Sequence, residues 1–161
     1  MDGAELHHKD EAEGSEAMTA KQYLSQVHAI RRQIEALEEQ IEFLTTKAAG
    51  VKGITYDGDR VDTSPENTLE ATVIELAEIT NRFNRRVLKY SRLVLKITEQ
   101  INGMENADHV ELLTLRYLQT DKRGKRMTLD RIARKMNRSP DRIWHMHGEA
   151  LAAFEKKYLQ G

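Results

Sequence analysis

The sequence predicts an all-α fold: a long antiparallel helical hairpin of coiled-coil type, followed by a C-terminal helix-turn-helix module. Three observations predict it. Ala, Glu, Lys, Leu and Arg make up 73 of the 161 residues, a composition typical of long helices when the right period accompanies it. Two apolar stripes with a heptad period follow one another along the chain. The last third then breaks into short segments, each opened by a residue that caps helices well.

Residues 1–17 are acidic, small and unpatterned, and are expected to be a disordered tail or a non-native extension, Met18 being an equally good start. From Ala20 the pattern changes. Ala20, Tyr23, Val27, Ile30, Ile34, Leu37, Ile41, Leu44 and Ala48 alternate three and four apart, an a/d seam over four heptads with Thr19 as its N-cap. A second seam runs through Leu69, Val73, Leu76, Thr80, Phe83, Val87, Tyr90, Val94, Ile97, Ile101 and Met104. Ser64 and Pro65 open it and Gly103 ends it. At the helical rise the two stripes span about 43 and 53 Å, and lengths so alike predict a chain that folds back on itself over residues 18–105. The loop between them, 49–66, carries an Asp57-Gly58 pair between β-prone residues, a signal for a small hairpin. Asp57, Asp59 and Asp62 lack the downstream Glu and the spacing of a calcium loop.

Residues 106–161 are predicted to hold three short helices. Asn106 or Asp108 caps the first, which runs to about Leu118. Thr128 caps the second, Leu129–Asn137, with Met127 and Ile132 placed as a hydrophobic staple. Ser139 caps the third and Pro140 occupies its first position, with Ile143, Met146, His147, Ala150, Leu151, Phe154 and Tyr158 facing inward.

The net charge of −1 conceals a segregation: −5 over residues 1–17, −1 over 18–105 and +5 over 106–161. A basic C-terminal block suits phosphate. Without Cys, disulfides, thiolate metal sites and cysteine nucleophiles are excluded. No Gly-rich phosphate loop, nucleophile elbow or histidine–carboxylate cluster stands out, so neither an enzyme nor a cofactor or metal is expected. His145 and His147 point about 200° apart on a helix, wrong for joint ligation. No apolar run reaches membrane-span length and the N-terminus does not resemble a signal peptide. A cytoplasmic protein that avoids membranes is the expectation.

A helix-turn-helix needs a small residue where its helices cross, and Ala133 is there; it needs apolar neighbours, and Ile132, Met136, Ile143 and Met146 provide them. Asn137 and Arg138 depart from the usual Gly and apolar residue of the turn, although Asn tolerates left-handed backbone. In this motif the start of the second helix reaches base edges while nearby cations hold phosphate. Asp141, Arg142, Trp144 and His145 are predicted to face outward at that start. Lys122, Arg123, Lys125, Arg126, Arg131, Arg134, Lys135, Arg138 and Arg142 are the phosphate candidates. Trp144 has two open readings, packing against a neighbouring helix or contact with a thymine methyl or sugar. His147 reads as a packed core histidine.

The stretch TLDRIARKMNRSPDRIWHMHGEALAAFEKK, with Arg116-Tyr117 ahead of it, resembles region four of bacterial sigma factors, which reads the −35 promoter element. That resemblance implies base-reading positions at Pro140, Asp141, Trp144 and His145. Pro140 and Trp144 stand where Arg is common, so the −35 specificity itself is not implied. Residues 18–159 as a whole, from Met18-Thr19-Ala20-Lys21-Gln22-Tyr23-Leu24 to His147-Gly148-Glu149-Ala150-Leu151, resemble small phage and prophage proteins of Gram-positive bacteria. Relatives of these of the ArpU/RinA type are regulators of late phage genes. Double-stranded DNA is the partner this implies. The alternatives are a sigma mimic that binds RNA polymerase without reading DNA, and a DNA-packaging subunit like a small terminase. The heptad stripes serve as intramolecular core or as a homodimer seam.

Overall fold

The computed structural model describes residues 17–52 and 65–160. Within them the chain is all-helical: α1 (Ala20–Lys52), α2 (Pro65–Asn102), α3 (Ala107–Leu113, running on as a π-turn Thr114–Leu118), α4 (Leu129–Lys135) and α5 (Pro140–Tyr158). The region of the Asp57-Gly58 hairpin signal, the Ser64 cap and residues 1–16 lie outside the described residues. No helix among the described residues is long and apolar enough to cross a membrane.

Thr19 and Gln22 open α1 reciprocally. The Gln22 amide donates to the Thr19 hydroxyl at 3.3 Å and the Thr19 amide donates to the Gln22 side chain at 2.9 Å, a capping box. The helix continues past the expected end of its apolar stripe to Lys52, so the connection to α2 is shorter than 49–66. α1 and α2 pack side by side in opposite directions. Tyr23 donates to Gln100 at 2.9 Å, and eight residues further along α1 the Arg31 Nε donates to the Tyr90 hydroxyl at 3.2 Å. Towards the far end Leu37, Leu44 and Ile79 form a small cluster with Ile41, Leu76 and Phe83.

Every α1 stripe residue is buried or half-buried. On α2 the stripe holds from Leu76 onward but slips at its start: Val73 is 51% exposed, while Thr72 and Ile79, outside the stripe, are buried. A straight helix drifts about 20° per heptad against a strict seven-residue repeat. A seam anchored at Ile97 and Ile101 therefore moves by about one residue over four heptads.

The main core lies at the other end of the pair. Ala20, Leu24, Val27, Ile97 and Ile101 share one buried cluster with Leu112, Leu113, Leu115, Tyr117, Met127, Ile132, Ala133, Ile143, Met146, Ala150 and Phe154. This core runs unbroken across position 105. Leu24 and His28 are off the heptad seam yet buried, because the π-turn Thr114–Leu118 and α5 cover a second face of α1. Glu155 accepts the Ala20 amide at 3.0 Å, and His28 Nε2 lies 3.3 Å from the Arg116 carbonyl.

Candidate nucleic-acid interface

Three local devices shape the basic end. The first is the loop before α4. Thr120 and Arg126 form one antiparallel bridge, and the Asp121 carboxylate accepts the amides of Arg123 at 2.8 Å and Lys125 at 2.9 Å. Gly124 adopts φ +73, a conformation glycine enters without a Cβ penalty. The Lys125 and Arg123 amides, with the Arg131 charge at 3.4 Å, hold the Asp121 carboxyl below its usual range. The loop is thus an ordered projection with exposed Lys122, Arg123, Lys125 and Arg126. Asp121 is the residue the charge pattern overlooked; an Asp three positions before a Gly is the signal for such a turn.

The second device is α4 with its exit. Thr128 caps it by accepting the Arg131 amide, and Met127 and Ile132 on either side of the cap are both buried. α4 stops at Lys135 rather than Asn137, because Asn137 takes left-handed backbone, φ 55. The Arg138 amide then donates back to the Ala133 carbonyl at 2.9 Å, closing the helix end as in a Schellman motif. Arg138 also pairs with Asp108 at 3.2 Å, tying the turn to α3.

The third is the start of α5. Ser139 accepts the Arg142 amide at 3.2 Å and Pro140 sits in the first turn. Ile143 and Met146 are buried with Ile132 and Ala133 between the two helices. The opposite face carries exposed Pro140, Asp141, Arg142, Trp144 and His145. Trp144 is 67% exposed, its ring edge-on to His145 with centroids 5.9 Å apart. It does not pack against a neighbouring helix.

The nine cation candidates divide. Lys122, Arg131, Arg134 and Lys135 line one groove together with Thr120, Asp121 and Met127. Arg126 leans towards α1, its guanidinium 3.5 Å from the Ser25 hydroxyl. Arg131, Arg138 and Arg142 each have an acid partner, the last being Glu149 at 3.6 Å. Among the described residues, Lys122, Arg123, Lys125, Arg126, Arg134 and Lys135 form no ion pair. That leaves six cations to meet a polyanion at no cost in broken pairs.

Beneath this surface His147 is half-buried against Tyr117. Its Nε2 lies 2.9 Å from the Tyr117 hydroxyl and its ring stacks on Tyr117. Burial first, then the Arg116, Lys21 and Arg126 charges, push its imidazole down to about 4. Arg116 is half-buried beside it and donates to the Met127 carbonyl. Among the described residues no group of three metal-ligating side chains comes together.

No protein-family model, curated protein or solved structure matches this chain.

Proposed function

We propose that the chain is a DNA-binding regulator of phage transcription, which uses α4, the Asn137 turn and α5 as a helix-turn-helix. α5 enters the major groove, with Pro140, Asp141, Trp144 and His145 towards base edges. Lys122, Arg123, Lys125, Arg126, Arg131, Arg134, Lys135, Arg138 and Arg142 face the phosphates. One observation carries this reading: the start of α5 is exposed and bears a bare indole, and six of the nine cations on the loop before α4, on α4, on its exit turn and on α5 form no ion pair among the described residues. Surface helices at 32% charged residues ordinarily mix signs. Unpaired cations on the elements that precede an exposed helix start are what phosphate positioning needs.

Selection of bound duplexes from a random pool, followed by mobility shift over a salt series, tests it. If about four cations neutralise phosphates, affinity falls with a log–log salt slope near −3.6. Lys125→Ala is expected to weaken all sequences alike, and His145→Ala to change the selected sequence. Absence of any salt-sensitive shift overturns the reading. A second reading, a sigma mimic that docks on polymerase through the paired helices, draws on exposed Phe43, Leu88 and Leu95. Its signature is capture of polymerase without a DNA shift.

A further inference from the structure

The longest uncompensated run of charge lies outside the α4–α5 unit. Between Glu78 and Glu99, α2 has no acid and carries Arg82, Arg85, Arg86, Lys89, Arg92 and Lys96. At the helical turn per residue these six fall within about 120° of the circumference, over about 21 Å of axis. Arg86 is half-buried and the other five are exposed. Arg82, Arg85, Arg86 and Lys89 line one surface groove, and Arg82 and Arg86 border Gln33 and Ala36 of α1 in the next. None of the six forms an ion pair among the described residues.

The helical period explains why. The flank of α1 beside the stripe is Gln33, Ala36 and Gln40, whereas Glu35, Glu38 and Glu42 fall towards the other flank and Glu39 on the back of the helix. Between Arg82 and Lys96 the edge is therefore basic, with Glu35, Glu38 and Glu42 of α1 turned away from it, while Glu78 and Glu99 bound it on α2 about one turn beyond either end.

We propose that this edge is a second phosphate-contacting surface that follows the backbone of a nucleic-acid duplex. A duplex carries one charge per about 1.7 Å of axis. A duplex segment of 21 Å or so consequently carries roughly a dozen phosphates, half on each strand, of which those on one side meet the edge. An acidic protein is the less suitable occupant. Protein interfaces centre on apolar or aromatic anchors, and the stripe has no such exposed anchor within its arc. The exposed Leu88 and Leu95 lie about 100° around the helix from its middle. The inference goes beyond the α4–α5 reading and does not depend on it.

The test uses the full chain and anisotropy on a long labelled duplex of arbitrary sequence, over a salt series. Arg85→Gln/Lys89→Gln/Arg92→Gln replaces exposed residues with another good helix former, and thermal melting checks that the fold persists. This variant is expected to reduce the log–log salt slope by about 2.7, three contacts at 0.9 each. An unchanged slope overturns the proposal. Lys122→Gln/Lys125→Gln/Arg134→Gln is measured in parallel. Loss of slope in the α2 variant alone supports the stripe and counts against the α4–α5 reading, loss in the other alone does the reverse, and loss in both supports both. A polyglutamate peptide that displaces the labelled duplex at a lower charge concentration than unlabelled duplex does, an advantage lost in the α2 variant, makes the partner an acidic protein and overturns the proposal.

Discussion

His147 and Trp144 stand three residues apart on α5 and have opposite fates. Trp144 is exposed and makes no core contact that its loss would break, so Trp144→Ala is expected to change folding stability by less than about 0.5 kcal/mol. If α5 reads DNA, the same variant weakens binding; equal affinity with intact folding would remove Trp144 from the interface. His147 is held neutral in the fold, and its pKa near 4 lies below that of an unfolded histidine. Its contribution to stability is therefore full above the unfolded value of about 6.5 and is lost as pH falls from there towards 4. His28, also depressed first by burial, acts in the same direction. Thermal melting at pH 7 and pH 5 is expected to show a lower midpoint at pH 5, with a smaller difference in His147→Gln. An unchanged difference would mean that other groups govern the acid limb. The inward side of His147 was legible from its place on the apolar stripe of α5, although it ends half-buried against Tyr117 rather than within the core. Trp144 was not decidable from spacing alone, because a helix position flanking a buried one is covered or bare according to what packs beside it.

At the scale of elements, caps and turns were the most legible features. Thr128, Ser139 and Asn106 each accept the amide bonds that N-cap chemistry demands. Asn137 takes the left-handed conformation that its side chain tolerates. Asn137→Ala is expected to destabilise by about 1 kcal/mol and Asn137→Gly to be neutral or slightly stabilising, as read by urea denaturation. Equal effects of the two would show that φ at this position does not matter. Ser139→Ala should cost about 1 kcal/mol through the lost cap. What the pattern misplaced was the first heptad of the α2 seam. Val73 and Thr72 are neighbours, and which one is buried depends on accumulated helical drift relative to α1 rather than on either residue.

On the scale of the whole molecule, one core joins the base of the α1–α2 pair to α3, α4 and α5. Leu24 on α1 and Phe154 on α5 are both fully buried in it. Leu24→Ala is expected to cost about 2–5 kcal/mol and Phe154→Ala about 3–5 kcal/mol. Each should also raise amide exchange in both α1 and α5, since elements that share a core open together. Exchange rising in the mutated helix alone would divide the molecule into independent halves. With the basic edge of α2 on one part and the α5 start on another, a common core would hold the two charged surfaces in fixed relation.

Composition, period and capping residues suffice for the all-helical class, nearly every helix boundary in the C-terminal third, the left-handed turn at Asn137 and the concentration of cations around α4. These depend on local chemistry: caps, periodicity and backbone preference act within a few residues. It took the packing of the helices to settle that Leu24 and His28 are covered, that Trp144 is bare, and which cations keep acid partners. The packing also decided that the acids of α1 are turned from the basic edge of α2. Each of those outcomes depends on how one helix is rotated against another, and a single stripe of apolar residues specifies that rotation only to within about one residue.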